Sequence, residues 1–76
     1  MNIAEAIREV FVPIVGKPAA EICIHESALR ASKEAGALSE SDMPLIETTI
    51  RKSLAPFTSG SLLDSAIAAL NERVCA

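Results

Sequence analysis

The sequence predicts an all-α protein, either a compact four-helix bundle or an orthogonal four-helix array, with short loops. Apolar residues recur every three or four positions in four separate segments, which is the period of an amphipathic helix. Glycines and prolines separate these segments. The β-branched runs typical of strands are absent except at residues 10–15, which include a proline. We therefore expect one helical domain, residues 1–76.

The first helix is predicted to begin after Asn2, which can cap it, with Glu5 in the capping-box position three residues later. Pro13 lacks an amide proton and disfavours helical geometry at Val12, so the regular helix is expected to end or kink there. The apolar face of this helix consists of Ile3, Ile7, Val10, Phe11 and Ile14.

The second segment, residues 18–35, is the longest uninterrupted helical pattern, and we call it the central helix. Gly16 can end the first helix in a left-handed conformation, and Pro18 suits the first turn of the next one. Gly36 is expected to close the central helix near Ala35, with Lys33 near its carbonyl end.

The central helix has a wide apolar surface on a helical wheel. Ile22 and Leu29 form one edge, and Cys23 falls within the narrow polar arc. We therefore expect neighbouring structure to surround this helix almost completely. The opposite apolar edge consists of Ala20, Ile24, Ala28, Ala31 and Ala35.

The third helix has two possible starts: Ser39 together with Asp42, or Ser41 alone. With Ser41 as the cap, Pro44 falls harmlessly in the first turn, whereas capping by Ser39 requires a distorted opening turn. Pro56 should stop the helix near residue 54 or 55. Its apolar stripe consists of Met43, Ile46, Ile50, Leu54 and Phe57.

The fourth helix is predicted to begin with Ser61 as its cap, in a capping-box pattern completed by Asp64. Its apolar face consists of Leu63, Ala66, Ile67, Leu70 and Val74.

The composition favours a small protein that associates with other proteins. Half of the residues are hydrophobic and almost all of these are aliphatic, although a chain of this size buries only ~60% of its unfolded surface. A net charge of −3 with scattered basic residues argues against a nucleic-acid surface.

The location expected from the sequence is the cytoplasm. Cys23 and Cys75 are too few and too far apart for a disulfide framework, which favours a reducing compartment. The first residues do not resemble a secretory signal, and no apolar run is long enough to cross a membrane.

Glu21 and His25 lie four positions apart on the central helix, so their side chains can meet. Since no second histidine and no catalytic constellation accompany them, we interpret them as the polar part of an interface, with no catalytic, cofactor or metal site. The candidate interface consists of Ala20, Glu21, Ile24, His25, Ala28, Ala31 and Ala35.

The function that we expect is a non-catalytic protein–protein interaction or dimerisation module, whose partner is a second copy or another protein. One alternative is a helix-turn-helix DNA-binding regulator that uses the central and third helices. A second alternative is a small-ligand or metal-binding protein centred on His25 and Cys23. The elbow at residues 15–19, followed by a long alanine-rich helix, resembles small helical modules that accompany bacterial and archaeal signalling domains.

Overall fold

The computed structural model describes residues 2–75, with side chains described through residue 74. Over this range the chain forms four helices and two short 3-10 turns, Ala35–Ala37 and Glu40–Asp42, and contains no strand. The predicted all-α class with four helices is therefore confirmed. The helices are α1 (Ile3–Val15), α2 (Lys17–Ala31), α3 (Met43–Leu54) and α4 (Gly60–Cys75).

Helices α1 and α2 form the middle of the structure: α1 packs against α2 and α4, and α2 packs against α1 and α3. Four of the six buried residues of α1 are large, and Phe11 among them is fully enclosed. Helix α2 is covered on two sides and open on a third, so the prediction that it is almost completely surrounded was wrong. The buried residues of α1 are Ile3, Ala4, Ala6, Ile7, Val10 and Phe11.

The junction between α1 and α2 is a single residue, Gly16. Its φ of +90° belongs to the region that favours glycine, and its amide donates a hydrogen bond to the Val12 carbonyl. Contrary to expectation, Pro13 lies inside α1, which continues to Val15. Proline is tolerated here because it is exposed and so near the end of the helix that only a local hydrogen bond is lost. Pro18 occupies the first turn of α2, as predicted.

Helix α2 ends at Ala31, four residues before the predicted end at Ala35. Ser32 adopts a left-handed conformation with φ 56° and ψ 40°. The Lys33 amide donates a hydrogen bond to the Ala28 carbonyl, with an N–O distance of 3.0 Å. This closure resembles the Schellman arrangement, in which glycine is the usual residue. Gly36 instead lies in a 3-10 turn, so the glycine preference pointed to the wrong position.

Ser39 and Asp42 cap the entry to α3. The Asp42 carboxylate accepts hydrogen bonds from the Ser39 amide at 3.0 Å and the Ser39 hydroxyl at 3.2 Å. The turn between them is the 3-10 turn Glu40–Asp42, which is the distortion expected if Ser39 capped the helix. Pro44 then falls in the first turn of α3.

Most of the predicted α3 stripe is buried. Met43, Ile46, Ile50 and Leu54 all face the core. Phe57 is 62% exposed, however, so its assignment to this stripe was wrong. The helix ends at Leu54, and beyond that point the helical period no longer determines where a side chain points.

Helix α4 begins at Gly60, two residues earlier than predicted, and Ser59 caps it in place of Ser61. The Ser59 hydroxyl accepts a hydrogen bond from the Leu62 amide at 3.3 Å, while Ser61 is exposed. Val74 is partly buried against the core. The other predicted residues of this face are buried, namely Leu63, Ala66, Ile67 and Leu70.

Candidate interaction surface on the second helix

The open side of α2 carries a strip formed by Ile22, His25 and Leu29, which we call the outer strip. Ile22 is 58% exposed and Leu29 is 60% exposed, and His25 between them is also exposed. Spacings of three and four place the three side chains on one face of a helix. Two large aliphatic side chains, two helical turns apart, are thus presented to solvent on the same face.

The opposite face of α2 belongs to the core of the chain. Ala20, Ile24 and Ala28, which the sequence suggested as interface residues, are buried, and Ala31 is partly buried. Small side chains let α1 and α3 approach α2 closely, so these positions leave no surface for a partner. Ala35 lies outside the helix and packs against the same core.

Glu21 forms its main contact with α1. The Arg8 guanidinium donates two hydrogen bonds to the Glu21 carboxylate, with Nε–Oε2 at 2.5 Å and Nη2–Oε1 at 3.1 Å. These bonds hold the pKa of Glu21 below its ordinary value. Within the described residues, Glu21 thus pairs with Arg8 and forms no hydrogen bond with His25. Within the described residues, the His25 side chain makes no hydrogen bond.

Cys23 is buried in the core and does not lie on a polar surface as the helical wheel suggested. Burial raises the pKa of its thiol to about 12, so the sulfur remains protonated at neutral pH. His25 points to solvent on another side of the helix, so the two cannot form one site. The side chain of Cys75 lies outside the described residues.

The described side chains contain no cluster of three or more histidine, cysteine, aspartate or glutamate residues suited to a metal ion. His25 and Cys23 therefore do not belong to a metal cluster of that kind. Helix-turn-helix geometry is also absent between α2 and α3, since residues 32–42 with two 3-10 turns replace the usual tight turn of three or four residues.

A groove of about 550 Å³ lies between α2 and α3. It was not predicted, because a groove between helices depends on their relative placement, which the sequence pattern leaves open. The outer strip, in contrast, was visible in the sequence as the apolar edge formed by Ile22 and Leu29. The residues that line the groove are Arg30, Pro44, Leu45, Thr48 and Thr49.

The fold and the outer strip define a small all-α four-helix protein with an exposed aliphatic surface. Comparisons with protein-family models, curated proteins and solved structures found no match for this chain. Among the helices that the structure describes, none has the length and apolar character required to cross a membrane.

Proposed function

We propose that this chain is a non-catalytic interaction module that associates with a second copy of itself through the outer strip of α2. The observation that carries the proposal is the exposure of Ile22 and Leu29 on one face, at 58% and 60%. Burying this face against a symmetry mate removes aliphatic surface from water on both copies.

The size of the chain also supports self-association. A single core in a domain below ~80 residues seldom supplies more than ~3–5 kcal/mol, and a partner subunit is a common supplement. The interface takes its apolar contacts from Ile22 and Leu29, with His25 as the polar group between them. The inner face of α2 stays in the core of each subunit.

Sedimentation velocity and light scattering over a wide range of protein concentration test this proposal. The wild type is expected to form a dimer, whereas Ile22→Asp and Leu29→Asp should weaken dimerisation by at least about tenfold, since each places a charge in an apolar contact. Both side chains are exposed in the single chain, so the variants should remain folded. Because the chain contains no Trp or Tyr, refractive index gives its concentration.

Leu62→Asp is the matched control. Leu62 is also a leucine on a helix surface, 52% exposed, but it lies on α4. This variant should dimerise like the wild type. A wild type that remains monomeric at every concentration would refute the proposal, and so would a Leu62→Asp variant that loses dimerisation as completely as Leu29→Asp. If the chain instead bound a different protein stoichiometrically through Leu29, without self-association, that protein would be the partner in place of a second copy.

The proposed compartment is the cytoplasm, and the buried free thiol of Cys23 supports it, since unpaired cysteines are typical of reducing compartments. A connection with bacterial or archaeal signalling rests on the resemblance of the elbow at residues 15–19, and of the helix after it, to small helical modules that accompany such signalling domains.

A further inference from the structure

The groove between α2 and α3 is mainly apolar. Leu45 and the ring of Pro44 line it from the start of α3, and the buried Thr49 forms part of its floor. Its volume of about 550 Å³ falls within the ~300–1,000 Å³ typical of small-molecule sites. The groove is more open than enclosed, so a ligand can enter without rearrangement of the helices.

The polar groups of the α3 wall are already engaged within the helix. The Thr48 hydroxyl donates to the Pro44 carbonyl at 3.0 Å, and the Thr49 hydroxyl donates to the Leu45 carbonyl at 2.9 Å. Their donor hydrogens are therefore not available to a ligand. Arg30 is the only lining side chain that still has hydrogen-bond donors to offer.

Arg30 is also the only charged residue in the lining. The ion pairs among the described side chains involve Arg8, Lys33, Arg51 and Arg73, and none of them involves Arg30. A single guanidinium beside an apolar wall matches a single negative charge attached to an apolar chain. The planar fork of arginine suits a carboxylate in particular, because two parallel N–H groups can bind its two oxygens.

We propose that this groove binds a small amphipathic carboxylic acid, with its carboxylate on Arg30 and its hydrocarbon chain along Leu45 and Pro44. The proposal does not rest on self-association, because the outer strip and the groove are formed by different residues. A phosphate group fits less well, since its second charge would have no cation among the lining side chains.

Isothermal titration calorimetry with octanoate and 1-octanol tests the site in the full chain. Octanoate should bind about tenfold more tightly than octanol, the difference expected for a hydrogen-bonded charge. Arg30→Gln should remove that advantage and leave octanol binding unchanged. The substituted residue is exposed, and circular dichroism verifies that the fold is retained.

Lys52→Gln is the matched control, because Lys52 is an exposed cation on α3 that neither lines the groove nor joins an ion pair with a described residue. It should bind octanoate like the wild type, and so should Ile22→Asp.

Equal affinity for octanoate and octanol would overturn the proposal, as would a loss of octanoate binding in Lys52→Gln as large as in Arg30→Gln. Loss of binding in Ile22→Asp would place the ligand on the outer strip and overturn the assignment. Binding of an acidic apolar peptide through Arg30 without binding of octanoate would also overturn it.

Discussion

Cys23 shows how burial determines the chemistry of a single residue in this protein. Its position on the helical wheel, beside charged neighbours, suggested a surface thiol. The structure places it in the core, where the Ser27 hydroxyl donates to the Cys23 carbonyl at 2.9 Å. A wheel shows which residues share a face, but it does not show which face the neighbouring helices cover. When apolar residues occupy most of the circumference, as in α2, that choice depends on tertiary packing.

The thiol of Cys23 should make the stability of the protein depend on alkaline pH. Its pKa is raised from about 9 to about 12, so between these values the folded chain keeps a proton that the unfolded chain releases. The free energy of unfolding should therefore be unaffected below pH 9 and should fall above it, by at most ~1.4 kcal/mol per pH unit.

Denaturant titrations between pH 8 and pH 11 measure this effect. Cys23→Ala removes the titrating group, so its stability should decline less steeply than that of the wild type. Other basic groups titrate in both proteins and cancel in the comparison. Two parallel curves would show that the thiol does not differ in pKa between the folded and unfolded chains.

At the scale of whole elements, the helices were easier to predict than their ends. The periodic spacing of apolar residues predicted where α1 to α4 lie, because each helix must bury one apolar face. The ends depend on a few residues with special backbone geometry. At these ends the usual roles of proline and glycine in terminating helices gave the wrong positions. Pro13 was tolerated inside α1, and Ser32, in a left-handed conformation, closed α2 four residues before the end that the sequence assigned to Gly36.

The connection from α2 to α3 depends on one carboxylate. Asp42 accepts hydrogen bonds from Ser39 and forms an ion pair with Lys33 at 2.8 Å, so it joins the end of α2 to the start of α3. These contacts hold the pKa of Asp42 below its ordinary value. A carboxylate with a lowered pKa stabilises the fold above its ordinary pKa, and this contribution is lost as pH falls through the lowered value.

Asp42→Asn should therefore lower the melting temperature at pH 7. The difference from the wild type should shrink as the pH falls below the ordinary aspartate pKa of about 4 and through the lowered pKa of Asp42, where the folded wild-type carboxyl also becomes protonated. Circular dichroism melts at pH 7 and pH 3 measure both effects. Glu40→Gln is the control, because this exposed acid lies in the same 3-10 turn and its side chain makes no hydrogen bond with the described residues. Equal losses in the two variants at pH 7 would indicate a general charge effect.

Ser39→Ala tests the other side of the same cap. Loss of a capping side chain typically costs ~0.5–2 kcal/mol, and we expect a decrease of about 1 kcal/mol in the free energy of unfolding. Urea titration at pH 7 measures it. Ser41→Ala is the comparison, because Ser41 is exposed, was the alternative cap and contributes only a 2.9 Å hydrogen bond with the Ser39 hydroxyl, so its loss should be smaller. A larger loss for Ser41 than for Ser39 would contradict the assignment.

For the whole molecule, the sequence did not predict which helices pack against one another. The longest helical pattern suggested α2 as the centre, and α2 does contact two helices, but α1 also contacts two and buries more large side chains. Length and periodicity report on one helix at a time. The position of a helix within the assembly depends on how several faces fit together, and the groove beside Arg30 arises in the same way.

The same packing makes the domain sensitive to a single charge in its core. Ile50 is fully buried on α3, so Ile50→Asp would place a carboxylate where it has neither water nor a cation. An uncompensated buried charge costs several kcal/mol, which is as much as the ~3–5 kcal/mol that a core of this size supplies. We therefore expect Ile50→Asp to abolish the cooperative thermal transition in circular dichroism. Leu62→Asp introduces the same charge at an exposed position and should melt like the wild type. A native-like melt for Ile50→Asp would mean that the α3 stripe does not face the core.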